Sequence, residues 1–158
     1  KDIEIEVLTP DFKGSKTALD RIVKASPEVF NHNIETIKRL YPRARQMADY
    51  DCSLEVLKYM KSNNIITKSG FMLGLGESLD EIFDLILDLN KIKLDIVTIG
   101  QYIRPSKEHL EVQKYYSLEE YSQIEDFIKK NTKIYPVIAP LARSSYKAKE
   151  SYRAIIGS

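Results

Sequence analysis

Cysteine is almost missing from this chain. Cys52 is the only one in 158 residues. A single thiol excludes an intrachain disulfide, and it excludes a metal site built wholly from cysteines of this chain. It suits a reducing compartment. Histidine is nearly as scarce: His32 and His109 lie far apart and share no ligand spacing, so no independent metal site is expected. An excess of charge is also missing. Lys plus Arg total 24 against 23 Asp plus Glu, a net charge of +1, so electrostatics give no reason to expect nucleic acid as a partner. No apolar run approaches the length of a bilayer span, so no membrane partner is expected. Repeats, low-complexity segments and linkers are absent too. No secretory signal pattern is visible at Lys1-Asp2, which leaves a targeting segment further upstream open.

What remains is the composition of one ordinary globular domain, 43% hydrophobic and 30% charged, long enough to bury a core. Ile3, Ile5 and Val7 alternate with Glu4 and Glu6, as in a strand. Ser15 and Ser26-Pro27 bracket a helix whose apolar side carries Ala18, Leu19, Ile22 and Val23. A short strand over 29–33 is followed by a helical turn with Ile34, Ile37 and Leu40, which Pro42 interrupts. A helix over 51–62 places Leu54, Leu57 and Met60 on one stripe. A strand over 67–73 ends in Gly74-Leu75-Gly76-Glu77. Ser78/Glu81 and Ser117/Glu120 are spaced as capping boxes and open two further helices. Strands over 93–100 and 134–138 complete the set, and a terminal helix is expected to begin near Ser144 or Ser145. Alternating strands and helices predict the α/β class: a partial (β/α) barrel of parallel strands with outer helices, incomplete at its N-terminal side, with 1–158 as a single domain.

Each strand runs into polar residues that hydrophobic patterning does not require. The carboxyl ends of parallel strands line one rim, where such sheets place their sites. Asn31, His32, Asn33 and Glu35 offer paired donors and acceptors for ribose hydroxyls, an amino group or an adenine edge. An Asx turn opening the next helix explains the same string. Gly74 and Gly76 allow a flat backbone to approach a ligand, or simply a strand-to-helix turn. Lys68-Ser69 puts a cation in or beside a strand, where an edge lysine is the ordinary alternative. Arg39, Arg43 and Arg45 are able to clamp a carboxylate, or they form a solvated face. Gln101 ends an apolar strand. Arg143-Ser144-Ser145-Tyr146 reads either as a helix cap with a neighbouring arginine or as part of the site.

Taken in order, six strings resemble the lipoyl synthases, radical S-adenosylmethionine enzymes, over their C-terminal half to two-thirds: E-V-L-T-P-D-F-K-G (6–14), V-F-N-H-N-I-E-T (29–36), R-L-Y-P-R-A-R (39–45), T-K-S-G-F-M-L-G-L-G-E (67–77), D-I-V-T-I-G-Q-Y-I-R-P-S (95–106) and P-L-A-R-S-S-Y-K-A (140–148). The resemblance implies a partial barrel carrying two [4Fe–4S] clusters, which reduces S-adenosylmethionine to a carbon radical. It implies insertion of sulfur at two unactivated carbons of an octanoyl chain held on a lipoyl carrier domain, with an electron donor as a further partner. It also implies that Asn31, Asn33, Glu35, Arg45, Lys68, Ser69, Gly74, Gly76, Gln101 and Arg143 surround the cofactor and substrate. Ser145, rather than Ser144, is implied as a ligand to the auxiliary cluster.

The family holds each cluster with an upstream cysteine triplet, and neither triplet is present here. Cys52 reads as a helix residue. The chain is therefore expected to be a portion of a longer enzyme that alone holds no cluster and has no activity. A cytoplasmic protein is expected, or an organellar one if a targeting segment precedes it. The rival expectation is a non-catalytic half-barrel that binds a carrier protein. A radical S-adenosylmethionine barrel with other substrate chemistry is a further one, against which the R-S-S-Y string argues.

Overall fold

The computed structural model describes residues 3–157. Five strands form one parallel sheet in the order β1-β2-β3-β4-β5: β1 Glu6–Leu8, β2 Val29–Asn31, β3 Ile66–Leu73, β4 Ile96–Gln101 and β5 Tyr135–Ile138. Every strand pairs with the next in sequence. Parallel neighbours need a crossover, and helices supply it: α1 Lys16–Ala25, α2 Tyr41–Ala44, α3 Tyr50–Ser62, α4 Leu79–Lys91 and α5 Leu118–Asn131. A terminal helix, α6 Ala148–Ile156, follows β5. Among the described residues the sheet has two edges, β1 and β5, and does not close. The architecture is the open, partial barrel expected from the alternation.

The local signals act as the sequence implies. Both capping boxes form, with the Ser78 and Ser117 hydroxyls accepting from the N–H groups of Glu81 and Glu120 and both glutamates reaching back. Ser26 ends α1 in a left-handed conformation, φ 51°. Three expectations shift. Pro42 opens the short α2 rather than breaking a helix, because proline at the first turn forfeits no hydrogen bond. On α3 the buried side is Tyr50, Ser53, Val56, Leu57 and Met60, with Leu54 only partly covered. The terminal helix begins at Ala148, so Ser144 and Ser145 lie in turns before it.

Alternation along the strands decides which residues face the site. Phe71, Leu73, Val97 and Ile99 join Leu57, Met60, Ile82, Leu85, Ile86, Leu89, Ile124 and Ile128 of the helices in one core. Burial of each such aliphatic side chain contributes roughly 1.5–3 kcal/mol. Register puts Lys68 beside Asn31 and Ile96, Gly70 beside Thr98, and Met72 beside Gly100. These residues form the opposite, inner face. α6 touches β5 and shares a cavity of about 390 Å³ with the Ile3–Glu6 stretch, Glu28 and Val29.

Candidate cofactor site

At the carboxyl end of the inner face lies a hollow of about 140 Å³, lined by Asn33, Glu35, Gly70, Phe71, Met72, Thr98, Gly100, Ala142, Arg143 and Ser144. Four segments meet there: the turn after β2, the strands β3 and β4, and the tail after β5. The turn is fixed to β3 as if it were a strand. Glu35 N–H donates to the Gly70 carbonyl at 2.9 Å, and Met72 N–H donates to the Glu35 carbonyl at 2.9 Å. Glu35 adopts φ 65° to do so, a conformation unusual for a side chain other than Gly, Asn or Asp. Gly70 keeps the turn and β4 close, since a Cβ there would stand 3.0 Å from Asn33 Oδ1 and 3.2 Å from the Thr98 carbonyl.

Electrostatically the hollow is polar and unfinished. Burial pushes the Glu35 carboxyl above its usual range, and a hydrogen bond from Asn33 and the charge of Arg45 only partly oppose this. Asn33 Oδ1 and Thr98 Oγ1 are buried and have no hydrogen-bond partner, an arrangement that ordinarily costs about 1–3 kcal/mol per group. Arg143 donates one hydrogen bond, from Nη1 to the Ala142 carbonyl at 2.7 Å. The site therefore offers acceptors for hydroxyl or amino groups beside a guanidinium able to take a carboxylate. Among the described residues lining it, no nucleophile is paired with a base. Pockets for whole organic ligands measure about 300–1,000 Å³, so this hollow is smaller than such a pocket.

Of the residues singled out in the sequence, the structure gathers Asn33, Glu35, Arg143 and Ser144 here and sends the rest elsewhere. Asn31 sits one layer deeper, donating from Nδ2 to Glu6 Oε1 at 3.0 Å. Lys68 is not an edge lysine. It is fully buried, and its Nζ donates to both Glu6 carboxylate oxygens at 3.0 and 3.1 Å. Ser69 faces the helices, and its Oγ accepts from Ile34 N–H at 3.2 Å. Arg45 braces the turn from outside, donating from Nη1 to the Asn33 carbonyl at 3.1 Å and to Tyr41 Oη at 3.1 Å. Gly74 and Gly76, both at φ 108°, shape a loop clasped by the Glu77 carboxylate, which accepts from the N–H groups of Gly74 and Leu75.

Gln101 also departs from expectation. It shares its face with Leu73, its register partner, and its amide is consumed by backbone: Nε2 donates to the carbonyls of Leu73 and Lys114 at 2.9 and 3.0 Å, and Oε1 accepts from Tyr116 N–H at 3.1 Å. Ser145 is exposed, and the neighbouring Ser144 is the serine that lines the hollow. Gly70, Thr98 and Gly100 were not singled out from the sequence. Their signal was present: a threonine and a glycine inside the apolar run of β4 call for a reason of their own.

The chain's likeness to known proteins agrees with this geometry. A model of the Radical SAM superfamily matches residues 1–89. The lipoyl synthase of Pyrobaculum arsenaticum is 46% identical over 157 residues, 97% of this chain and 53% of that protein. The lipoyl synthase of Rubrobacter xylanophilus is 47% identical over 148 residues, 92% of this chain and 46% of that protein. The chain thus spans about half the length of these curated relatives. Among solved structures, Streptococcus suis SuiB bound to S-adenosylmethionine superposes with a TM-score of 0.65 at 12% identity, covering 92% of this chain and 35% of that one. The archaeal Methanocaldococcus infernus Elp3 gives 0.68 at 12% identity, with 90% and 36% covered; at such identities the likeness is one of fold. Parallel strand order, a polar rim at the strand ends and the matched stretch from the first strand to α4 converge, and the chain belongs to the radical SAM superfamily.

Proposed function

We propose that this chain is the C-terminal portion of a lipoyl synthase and that its hollow holds part of S-adenosylmethionine. The convergence of Asn33, Glu35, Thr98 and Arg143 on one hollow, two of them with unpartnered buried acceptors, carries the cofactor assignment. High identity to lipoyl synthases over nearly the whole chain supports the substrate: an octanoyl chain on a lipoyl carrier domain. When bound and cleaved by one electron from a reductant outside this chain, the cofactor would release methionine and supply a carbon radical able to abstract hydrogen from an unactivated C–H bond. The chain's contribution is to hold and orient it. Asn33 and Glu35 accept from hydroxyl or amino groups, and Arg143 faces a carboxylate. The inner strands exclude water from beneath.

The residues here do not fit a complete iron–sulfur cluster. Among the described residues no three His, Cys, Asp or Glu side chains converge, and Cys52 stands alone. Ser145 is proposed as a single oxygen ligand to a cluster whose remaining ligands lie outside this chain. An electron donor and a cytoplasmic setting belong to the same proposal.

The test uses the full-length protein. Ser145→Ala is expected to abolish lipoyl product while leaving S-adenosylmethionine cleavage within about twofold, and Asn33→Ala is expected to weaken cofactor binding by roughly tenfold, the scale of a hydrogen bond to a charged or polar ligand group. Unchanged lipoyl formation in the Ser145 variant removes the ligand assignment. Unchanged cofactor affinity in the Asn33 variant removes the hollow from the cofactor site.

A further inference from the structure

The tail after β5 turns back over β4 instead of leaving the sheet. Ala139 N–H donates to the Ile99 carbonyl at 3.2 Å, Gln101 N–H donates to the Pro140 carbonyl at 2.9 Å, and Ala142 N–H closes the turn on the Ala139 carbonyl at 2.9 Å. The resulting strap lies directly on Gly100. A Cβ at that position would stand 2.5 Å from the Ala142 carbonyl oxygen, 3.4 Å from its carbon and 3.5 Å from Arg143 Nη1. The first two are backbone atoms, which cannot swing aside as the end of a flexible side chain would.

Backbone conformation does not call for glycine here. Gly14, Gly74 and Gly76 hold positive φ, and Gly100 does not. Glycine inside a buried strand weakens the strand and usually marks a close approach by another chain segment. The approach at Gly100 is the strap, and the strap carries Arg143 and Ser144 into the wall of the hollow.

We propose that Gly100 is a positioning residue: by lacking a side chain it seats the strap on β4, and the seated strap holds Arg143 against the bound ligand. The seat itself is a matter of backbone geometry. Only its effect on ligand rests on the S-adenosylmethionine reading.

The experiment compares the full-length protein with its Gly100→Ala variant. Hydrogen–deuterium exchange is followed over the strap and over β3, and S-adenosylmethionine binding is measured by equilibrium dialysis. In the variant, the Ala142 and Tyr146 amides are expected to exchange like exposed loops, with β3 protection unchanged and the dissociation constant raised on the order of tenfold, as for loss of a charge-assisted contact. In an Arg143→Ala background the same Gly100→Ala change is expected to cost no further affinity, a result that general loss of stability does not give. A strap equally protected in both proteins overturns the proposal, and so does an affinity effect that persists without Arg143. If the unsubstituted protein binds no S-adenosylmethionine, the cofactor reading falls, while strap exchange still decides the seat. Should Gly100→Ala not fold, the Gln101 and Ala139 amides of the unsubstituted protein decide: protection like that of central β4 supports the seat, and loop-like exchange overturns it.

Discussion

Lys68 and Ser69 are neighbours in sequence and look alike as polar residues at a strand. Alternation sends them to opposite faces, and each is taken up by the fold. Which face each side chain meets follows from the period of two; that Glu6 lies within reach across β2 does not, because that pairing joins residues far apart in the chain. The ion pair has one fully buried member and one 22% exposed. Removing a single partner of such a pair leaves an uncompensated charge, which costs about 3–5 kcal/mol. Lys68→Met is thus expected to lower unfolding stability by about 3 kcal/mol, and Glu6→Gln combined with Lys68→Met by less than the sum of the single changes. Urea titrations of the variants check this. An additive outcome removes the coupling. Glu35 gives a second test. Its folded pKa is raised, mainly by burial, so the unfolded state ionises first as pH rises. Stability is fully present below the ordinary carboxylate range and falls as pH climbs through the raised folded value. Glu35→Gln is expected to remove that fall, raising Tm at pH 7 relative to the parent and leaving it nearly unchanged at pH 4. A parent whose Tm does not decline across this interval would falsify the assignment of desolvation as the dominant cause.

Elements with local signals were legible, and the connection between β4 and α5 was not. Capping boxes, apolar stripes and strand alternation act over a few residues, so Ser78/Glu81 and Ser117/Glu120 announced α4 and α5 in the sequence. The stretch from Tyr102 to Tyr116 contains no regular structure and is instead laced to distant backbone. Gln113 N–H donates to the Gly74 carbonyl at 2.8 Å, Tyr102 Oη donates to the Leu110 carbonyl at 2.9 Å, and the Gln101 amide spans Leu73, Lys114 and Tyr116. No spacing rule encodes such contacts, and only the family resemblance placed Gln101 beside the cofactor. Its structural role makes a separable prediction. Gln101→Leu strands the Tyr116 N–H in a buried place and is expected to cost about 1–3 kcal/mol without altering cofactor affinity. Gly74→Ala is expected to act more strongly, because φ 108° suits glycine and an added Cβ meets Gln101 Nε2 and the Lys114 carbonyl; limited proteolysis within 103–115 reads the release of the loop. Loss of affinity with stability retained in the Gln101 variant returns that residue to the cofactor site.

For the whole molecule, strand order follows from the sequence because consecutive parallel strands joined by helices have few other ways to pack. The site follows only in part. Asn33 and Glu35 leave a strand end, where such folds place ligands, whereas Arg143 and Ser144 arrive by a tail that doubles back on β4, a path that no periodicity describes. The open sheet has a consequence of its own. β1 is an edge strand, and Ile3, Ile5 and Leu8 around it are 73%, 46% and 57% exposed. An unpaired edge flanked by apolar side chains is a template for pairing with another strand. The 158-residue chain by itself is therefore expected to self-associate through β1. Sedimentation velocity across a dilution series reads the association, and Ile5→Lys with Leu8→Lys is expected to shift it toward monomer, because charge on an edge opposes edge-to-edge pairing. Equal association of the substituted and unsubstituted chains would place the contact elsewhere, and a monomer at every concentration would mean that the β1 edge is no such template.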